Sequence, residues 1–323
     1  MKKLALLLFS TCLFADKVIT PKHQLEVENP WYTGPLLAPS AVTVPVGHAN
    51  FEPYIYIIAN TGSYDAHGKV VKTDTSWANS FQPVVQVGLT KWMDIQFLPS
   101  LVYNYTQHQA QWLFYDFPIT IDFQLTSPSY MGDWTPYIKL SLTEIFPTGK
   151  YRHLNPKKKG VDISGTGSFR TSAGLVIGEM FHLKGVHFLI ARVLFLYEIP
   201  APVQLEGFNA YGGGYGTNAR FFPAQNWQTD LGVELTLTKN WVLACDFVGS
   251  WAVKPHFSGD PGRTAVGTSA ALGTGPSAQY ALAPAIEYNW SENLGIIGGS
   301  WFTVAGHNAP RFWSAVVAFN YYL

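Results

Sequence analysis

The sequence is poor in charge, in cysteine and in long apolar runs, and each shortage excludes a class of protein. Only 13% of its 323 residues are charged and 15% are aromatic, whereas a disordered chain is rich in charge and poor in aromatic residues. The 21 basic and 21 acidic residues cancel, which argues against a nucleic-acid partner, since such binders carry a basic stripe. Beyond the N-terminus no apolar run reaches about 18 residues, so no membrane-spanning helix is predicted.

The first fifteen residues have the pattern of a secretory signal peptide. Lys2 and Lys3 form a positive start, an apolar stretch follows, and Ala15 is a small residue before a polar one. We therefore predict a signal peptide over 1–15 that directs the chain through the inner membrane. Lipid attachment to the cysteine in this stretch is the alternative, although the residues before it do not form a lipobox. Cleavage removes one of the 2 cysteines, so the mature chain has no internal disulfide.

Many stretches of the chain alternate strictly between two kinds of side chain, which is the period of a strand with two different faces. In 229–237, Leu231, Val233 and Leu235 share one face, and polar or small residues share the other. The same pattern recurs in 81–90, 113–125 and 280–290. The apolar face is the more uniform one, which is typical of a barrel with lipid outside and a polar lumen inside. A bilayer admits only helices or closed barrels, because open sheet edges leave backbone groups unpaired in hydrocarbon.

Twelve segments of this kind can be counted, and their connections alternate in length. The predicted strands lie near 50–60, 79–90, 93–106, 111–126, 133–147, 168–179, 185–199, 227–238, 241–254, 278–290, 293–305 and 311–323. Short connections follow the even strands and longer ones often follow the odd strands, as in bacterial barrels with short periplasmic turns and longer outer loops. Tryptophans cluster near the strand ends, as expected at membrane interfaces. The sequence therefore predicts an all-β fold, an antiparallel transmembrane β-barrel of about twelve strands over residues 50–323.

One strand end carries a short motif. Residues 146–151 read Phe-Pro-Thr-Gly-Lys-Tyr, and Asn155 and a glycine-rich stretch follow. This element resembles the strand-end Pro-Thr-Gly element of a family of outer-membrane barrels named for the MetA pathway of phenol degradation, whose members are described as transporters or channels for hydrophobic compounds. The resemblance implies a barrel in a bacterial outer membrane, and it transfers no functional residues.

The last predicted strand alternates to the end of the chain, as in outer-membrane barrels whose final strand is recognised by assembly machinery. Such strands commonly end in phenylalanine, whereas this one ends in Leu323. Assembly machinery is therefore one expected partner, together with outer-membrane lipids, lipopolysaccharide and small solutes. The basic residues within 150–159 would contact anionic lipopolysaccharide, although charge runs are more often simply solvated.

Candidate functional residues lie on the inward faces of the predicted strands. The inward charges are Glu52, Asp94, Asp116, Asp122, Asp230, Glu234, Asp246 and Glu287, with Lys139, Arg170 and Arg192. The excess of carboxylates predicts a mild preference for cations or neutral solutes in an open pore. The alternative is a closed lumen in which these groups pair with one another. The strand 185–199 is apolar on both faces, and its inward patch is Phe188, Ile190, Leu194 and Leu196.

Residues 16–49 precede the first strand and hold five prolines, so the segment is predicted to be neither helix nor strand. Because it is also apolar, we expect it to lie in the lumen as a plug or against the periplasmic mouth. The histidines form no metal-ligand spacing, and no catalytic residue, metal or cofactor is predicted. The predicted function is therefore a passive channel for small solutes, including hydrophobic ones, and not an enzyme. The alternatives are a structural or surface-interaction protein without transport and an outer-membrane lipid-modifying enzyme.

Overall fold

The computed structural model describes residues 30–128 and 134–323. The predicted signal peptide 1–15 and the first part of the proline-rich segment lie outside the described residues. The strands are β1 (Ala49–Tyr64), β2 (Val70–Thr90), β3 (Met93–Phe97), β4 (Leu101–Thr106), β5 (Gln109–Phe114), β6 (Phe117–Thr126), β7 (Tyr137–Phe146), β8 (Arg170–Lys184), β9 (His187–Pro200), β10 (Val203–Glu206), β11 (Asn218–Phe222), β12 (Asn226–Thr236), β13 (Trp241–Ala252), β14 (His256–Asp260), β15 (Ser277–Ser291), β16 (Leu294–His307) and β17 (Ala309–Tyr322). A single turn of 3-10 helix spans Pro156–Lys158, and the described part of the chain contains no helix able to cross a membrane.

The main sheet closes on itself through antiparallel pairs. The strand β1 pairs with both β2 and β17, and the remaining neighbours follow in sequence order around the wall. The strands β3 and β4 form one interrupted strand against β2, and β5 and β6 form the next, so the wall has twelve strands. The first interruption falls at Pro99, which cannot donate a ladder hydrogen bond. The predicted antiparallel barrel of twelve strands is confirmed.

The two faces of the wall differ as the alternation predicts. On β12, the Leu231 side chain is 43% exposed on the outside, while its neighbour Asp230 is 1% exposed on the inside. Large apolar side chains are exposed around the whole outer surface, and most buried side chains with charge point inward. Trp227 is paired with Trp251 near one end of the wall, and Trp241 lies at the other end. This inverse arrangement, apolar outside and polar inside, is stable only when lipid surrounds the wall.

The two ends of the barrel have different connections. One end, called the turn end, carries the short turns and both ends of the barrel sequence, where the backbone N–H of Leu323 donates to Ala49 O at 2.8 Å. The opposite end, called the loop end, carries the long connections. One of these differs from prediction: within 61–78, β1 and β2 continue as a hairpin that turns only at 65–69. Both strands continue there with mostly polar side chains, so a prediction based on the alternation of apolar residues makes each strand too short.

Three long loops at the loop end are joined to one another. The strands β10, β11 and β14, which belong to two different loops, form a separate antiparallel sheet. The loop after β7 joins them through backbone hydrogen bonds from Leu154 N to Phe208 O, at 2.9 Å, and from Ala210 N to Tyr151 O, at 2.7 Å. The loops therefore form one connected layer rather than separate flexible arms.

The basic stretch in the loop after β7 takes part in this layer. The Lys150 ammonium lies 3.0 Å from the buried Asp162 carboxylate, and Lys158 Nζ donates to Gln111 Oε1 at 2.8 Å. Burial would raise the pKa of Asp162, but hydrogen bonds from Asn155 N–H and the Lys150 ammonium outweigh it and lower the pKa. Part of this positive charge therefore stabilises the loops.

Candidate functional site

The described part of the proline-rich segment lies inside the barrel, where inward side chains of the wall bind it. We call residues 30–48 the inner segment. Asp246 on β13 accepts hydrogen bonds from the backbone N–H groups of Leu37, at 3.2 Å, and of Ala38, at 3.0 Å. A segment without strand or helix has no ladder for its N–H groups, and a buried N–H group without an acceptor destabilises the fold. The inward carboxylate supplies the acceptor that secondary structure would otherwise provide.

Two further carboxylates bind the inner segment near its ends. Glu287 Oε1 accepts from the backbone N–H of Thr33 at 2.6 Å, and Asp94 Oδ2 accepts from Val44 N–H at 2.7 Å. The amide of Gln124 also binds the segment and accepts from Thr43 N–H at 2.8 Å. The attachment points lie on β3, β6, β13 and β15, so the inner segment crosses from one side of the wall to the other.

Glycines in the wall let the inner segment approach closely. A Cβ atom at Gly232 would lie 2.5 Å from Pro35 Cγ and 2.9 Å from Ala38 Cβ. A Cβ atom at Gly178 would lie 2.7 Å from Ala41 Cβ. All three distances are too short for real carbon atoms, so these two strand positions require glycine for packing rather than for backbone conformation.

The three predicted inward cations are all paired. Lys139 Nζ lies 3.0 Å from Asp122 Oδ2, and both side chains are buried. Arg192 forms a buried ion pair with Glu234. Arg170 lies between Asp116, at 3.7 Å, and Glu198, at 3.6 Å. Glu198 is a further acidic partner that was not among the predicted inward charges. These pairs match the alternative in which inward charges pair with one another.

Asp116 anchors a loop to the wall. It lies between β5 and β6, and its Oδ1 accepts from Gly149 N–H at 3.0 Å. Its Oδ2 accepts from Thr166 N–H at 2.9 Å, while Thr148 Oγ1 donates to Tyr115 O at 2.8 Å. The Pro-Thr-Gly element is thus the place where the loop after β7 turns back onto the barrel, a role in folding rather than in solute binding.

The inward apolar patch on β9 is covered rather than open. Phe188, Ile190 and Leu194 are buried, and Leu196 is half-buried. Leu194 packs against Val176 of the wall and Ala41 of the inner segment. The Leu194 end of the patch therefore contributes to docking the inner segment.

Two cavities remain beside the inner segment. The turn-end cavity has a volume of about 500 Å³ and lies between the segment and the wall around Glu52. The loop-end cavity has a volume of about 640 Å³ and lies on the loop-end side of the segment, with Asp230 in its lining. Leu37, Tyr56 and Gln82 line both cavities, so the two meet at these side chains.

Uncharged residues provide much of the cavity lining, and none of them is among the charged residues or the β9 apolar patch predicted from the sequence. Gln82 and Tyr56 lie on the inward face of their strands, so the alternation could have found both. Among the described residues, no group of three or more His, Cys, Asp or Glu is arranged to hold a metal ion.

Comparisons with known proteins identify the fold. No protein-family model matches the chain, and no curated protein matches its sequence. The crystal structure of an outer membrane channel from Pseudomonas putida F1 matches 87% of this chain and 97% of its own, with a TM-score of 0.61 at 12% identity. The translocator domain of the autotransporter NalP from Neisseria meningitidis matches 84% of this chain and 88% of its own, with a TM-score of 0.46 at 9% identity. At these identities the first similarity establishes a shared barrel fold and nothing more specific. The second similarity is too low to support the assignment.

Proposed function

We propose that this protein is a passive channel of a bacterial outer membrane and that small solutes, including hydrophobic ones, pass beside the inner segment. The observation that carries the proposal is the pair of cavities that meet at Leu37, Tyr56 and Gln82. A closed twelve-stranded wall with an apolar outside suits this membrane. The Pseudomonas putida F1 protein that shares this fold is an outer membrane channel, which agrees with the proposal.

The cavities extend in opposite directions from this meeting point. The turn-end cavity reaches Asn50 and Tyr322, close to the turn end of the wall. The loop-end cavity reaches Asn226 and Gln279, close to the loop end. A solute that follows both cavities crosses most of the wall's height on the β1–β2 side, and Leu37, Tyr56 and Gln82 form the neck of this path.

The charge preference of this path follows from the carboxylates that remain at the cavities. Ion pairs or N–H groups occupy Asp94, Asp122 and Asp246. Glu52 and Glu292 line the turn-end cavity, and Asp230 lines the loop-end cavity. We therefore propose a modest cation preference that comes from these three residues and not from the whole inward set.

Conductance of the refolded full chain in planar bilayers tests the channel. Cysteine is introduced at inward Gln82 or, as the matched control, at its outward neighbour Phe81, both with Cys245→Ala. Modification with a charged methanethiosulfonate should lower the current of the Gln82→Cys barrel, because the neck narrows, and leave the Phe81→Cys current unchanged. A folded barrel without conductance would refute the channel, and equal block of both variants would refute the path.

A second experiment tests location and orientation. Cysteines at Lys158, in the loop layer, and at Asn240, in a short turn, are labelled on intact cells with a membrane-impermeant maleimide. The proposed outer-membrane topology predicts labelling at residue 158 and none at 240. Lipopolysaccharide and outer-membrane lipids are the proposed surroundings of this surface, and comparable labelling at both positions would contradict the orientation.

We also propose that assembly machinery recognises β17, which completes the barrel by pairing with β1. The outward Phe319 side chain is exposed, and Asn320 is its neighbour on the opposite face. Phe319→Ser should lower the amount of folded barrel in cells more than Asn320→Ser does, once each amount is divided by the yield of refolding in detergent, because Asn320→Ser removes a hydrogen bond to Glu52. Equal yields in cells would contradict recognition through the outward face.

A structural barrel without transport is the second candidate. The joined loop layer and the hydrogen-bonded inner segment favour it, because both reduce the open cross-section. The same conductance experiment separates the two candidates, since a structural barrel carries no current in any variant.

A further inference from the structure

The loop-end cavity has an unusual balance of charge. Hydroxyl and amide side chains line it, with the rings of Tyr56, Tyr115 and Trp301 and the single carboxylate of Asp230. Among the described residues, no lysine, arginine or histidine lines the cavity. No cationic side chain within this cavity is therefore available to pair with the Asp230 carboxyl group.

Asp230 also differs from the other inward carboxylates in its contacts. Asp94, Asp122, Glu234 and Glu287 each have one carboxylate oxygen without a partner, but the other oxygen of each accepts a hydrogen bond. The Asp230 side chain forms no hydrogen bond or ion pair with any described residue, and its buried Oδ1 has no partner. By contrast, Glu52 accepts from Asn320 at 2.6 Å, and Asp246 accepts from the inner segment. A carboxylate that is 1% exposed and has no partner destabilises the empty barrel. A ligand that donates to this oxygen would remove that penalty.

The aromatic residues supply the complementary surface. Trp301 Nε1 likewise has no hydrogen-bond partner among the described residues. Tryptophan and tyrosine rings attract cations to their faces and apolar groups to their surfaces. The cavity volume of about 640 Å³ lies in the range of small-molecule sites, roughly 300–1,000 Å³.

We propose that the loop-end cavity binds a small organic cation, a solute with an ammonium group that donates to Asp230 and an apolar or aromatic body that contacts Trp301 and Tyr56. The inference rests on the proposed function, because it names the class of solute that such a channel holds on its path. An anionic solute is disfavoured by Asp230, and a neutral solute of the same shape lacks the charge-assisted hydrogen bond.

Calorimetric titration of the full-length barrel in detergent tests the site independently of transport. The probes are tyramine, which carries an ammonium group, and 4-ethylphenol, a neutral molecule of similar shape. Tyramine should bind at least about tenfold more tightly than 4-ethylphenol, and Asp230→Asn should remove this difference. Glu52→Gln is the matched control, since it removes a carboxylate from the other cavity and should leave tyramine binding unchanged. Asp230→Asn removes a buried charge without a partner, so it should not weaken folding.

Conductance measured with the same probes separates this inference from the proposed function. Tyramine should reduce the current in the wild-type and Glu52→Gln barrels and have little effect in Asp230→Asn. Equal affinity for both probes, or unchanged tyramine binding in Asp230→Asn, would overturn the cation site while leaving the channel standing. Asp230-dependent tyramine binding in a barrel that carries no current would support the site and refute the channel.

Discussion

Replacement of Asp246 by alanine should loosen the inner segment without opening the wall. The change removes the acceptor of two backbone hydrogen bonds, from Leu37 and Ala38, at 3.2 and 3.0 Å. A hydrogen bond to a charged group contributes about 1.5–3 kcal/mol, which gives roughly 3–6 kcal/mol for the pair. Leu37 borders both cavities, so water can reach its freed N–H group. We therefore expect the free energy of opening the segment to fall by about 3 kcal/mol, the lower limit of this range. The opening equilibrium constant then rises roughly a hundredfold.

Amide hydrogen exchange, read by mass spectrometry on the refolded barrel, measures this opening. In Asp246→Ala the peptide that contains Leu37 and Ala38 should exchange faster by about two orders of magnitude, while strand peptides of β13 stay protected. Asp230→Ala is the matched control, because it removes an inward carboxylate that forms no hydrogen bond with the described part of the segment. Unchanged exchange in Asp246→Ala, or an equal increase in Asp230→Ala, would refute the role assigned to the carboxylate.

Three further predictions follow from the wall and the loops. Gly232→Leu should displace the inner segment and raise conductance, whereas Gly298→Ala, where the nearest atoms lie 3.9 Å from the new Cβ, should leave the current unchanged. Val233→Arg, on the lipid face, should lower the free energy of unfolding by about 2–4 kcal/mol in a reversible unfolding assay in lipid. Inward Gln228→Arg should lower it clearly less, and equal losses would contradict the assignment of the two faces of β12. Because the pKa of Asp162 is lowered in the folded loop, its stabilising contribution is complete above its ordinary pKa. That contribution is lost as the pH falls through the lowered value, so amide exchange in the loop should accelerate there in the wild type and not in Asp162→Asn.

The strand pattern could be predicted because it depends on a local rule. A residue in a transmembrane strand faces either lipid or lumen, so each position in the sequence reports its own environment. For β12 this places Leu231 outside and Asp230 inside, as the structure shows. The rule fails where a strand leaves the membrane, as in the β1–β2 hairpin, because both faces there meet water and the contrast disappears.

The contacts of the inner segment could not be predicted by any local rule. Asp246 binds backbone groups more than 200 residues earlier in the chain, at a separation of 208 positions from Ala38. The segment has no periodicity, and its prolines remove the hydrogen bonds that would give it one. The sequence predicts that an apolar segment packs against a partner. Only the structure shows that inward carboxylates accept hydrogen bonds from the backbone N–H groups of the segment.

A count of all inward carboxylates therefore overestimates the preference of the lumen for cations. A carboxylate in a lumen can neutralise a cation, accept from backbone groups or face a solute, and only the third use affects what passes. Asp122 serves the first use and Asp246 the second. The side chain of Asp230 does neither within the described residues, although it lies on the same face of β12 as Glu234, which is paired with Arg192. Two inward acids four residues apart on one strand thus differ in whether the fold provides a partner, and a bound solute can supply the hydrogen bond that the acid without a partner lacks.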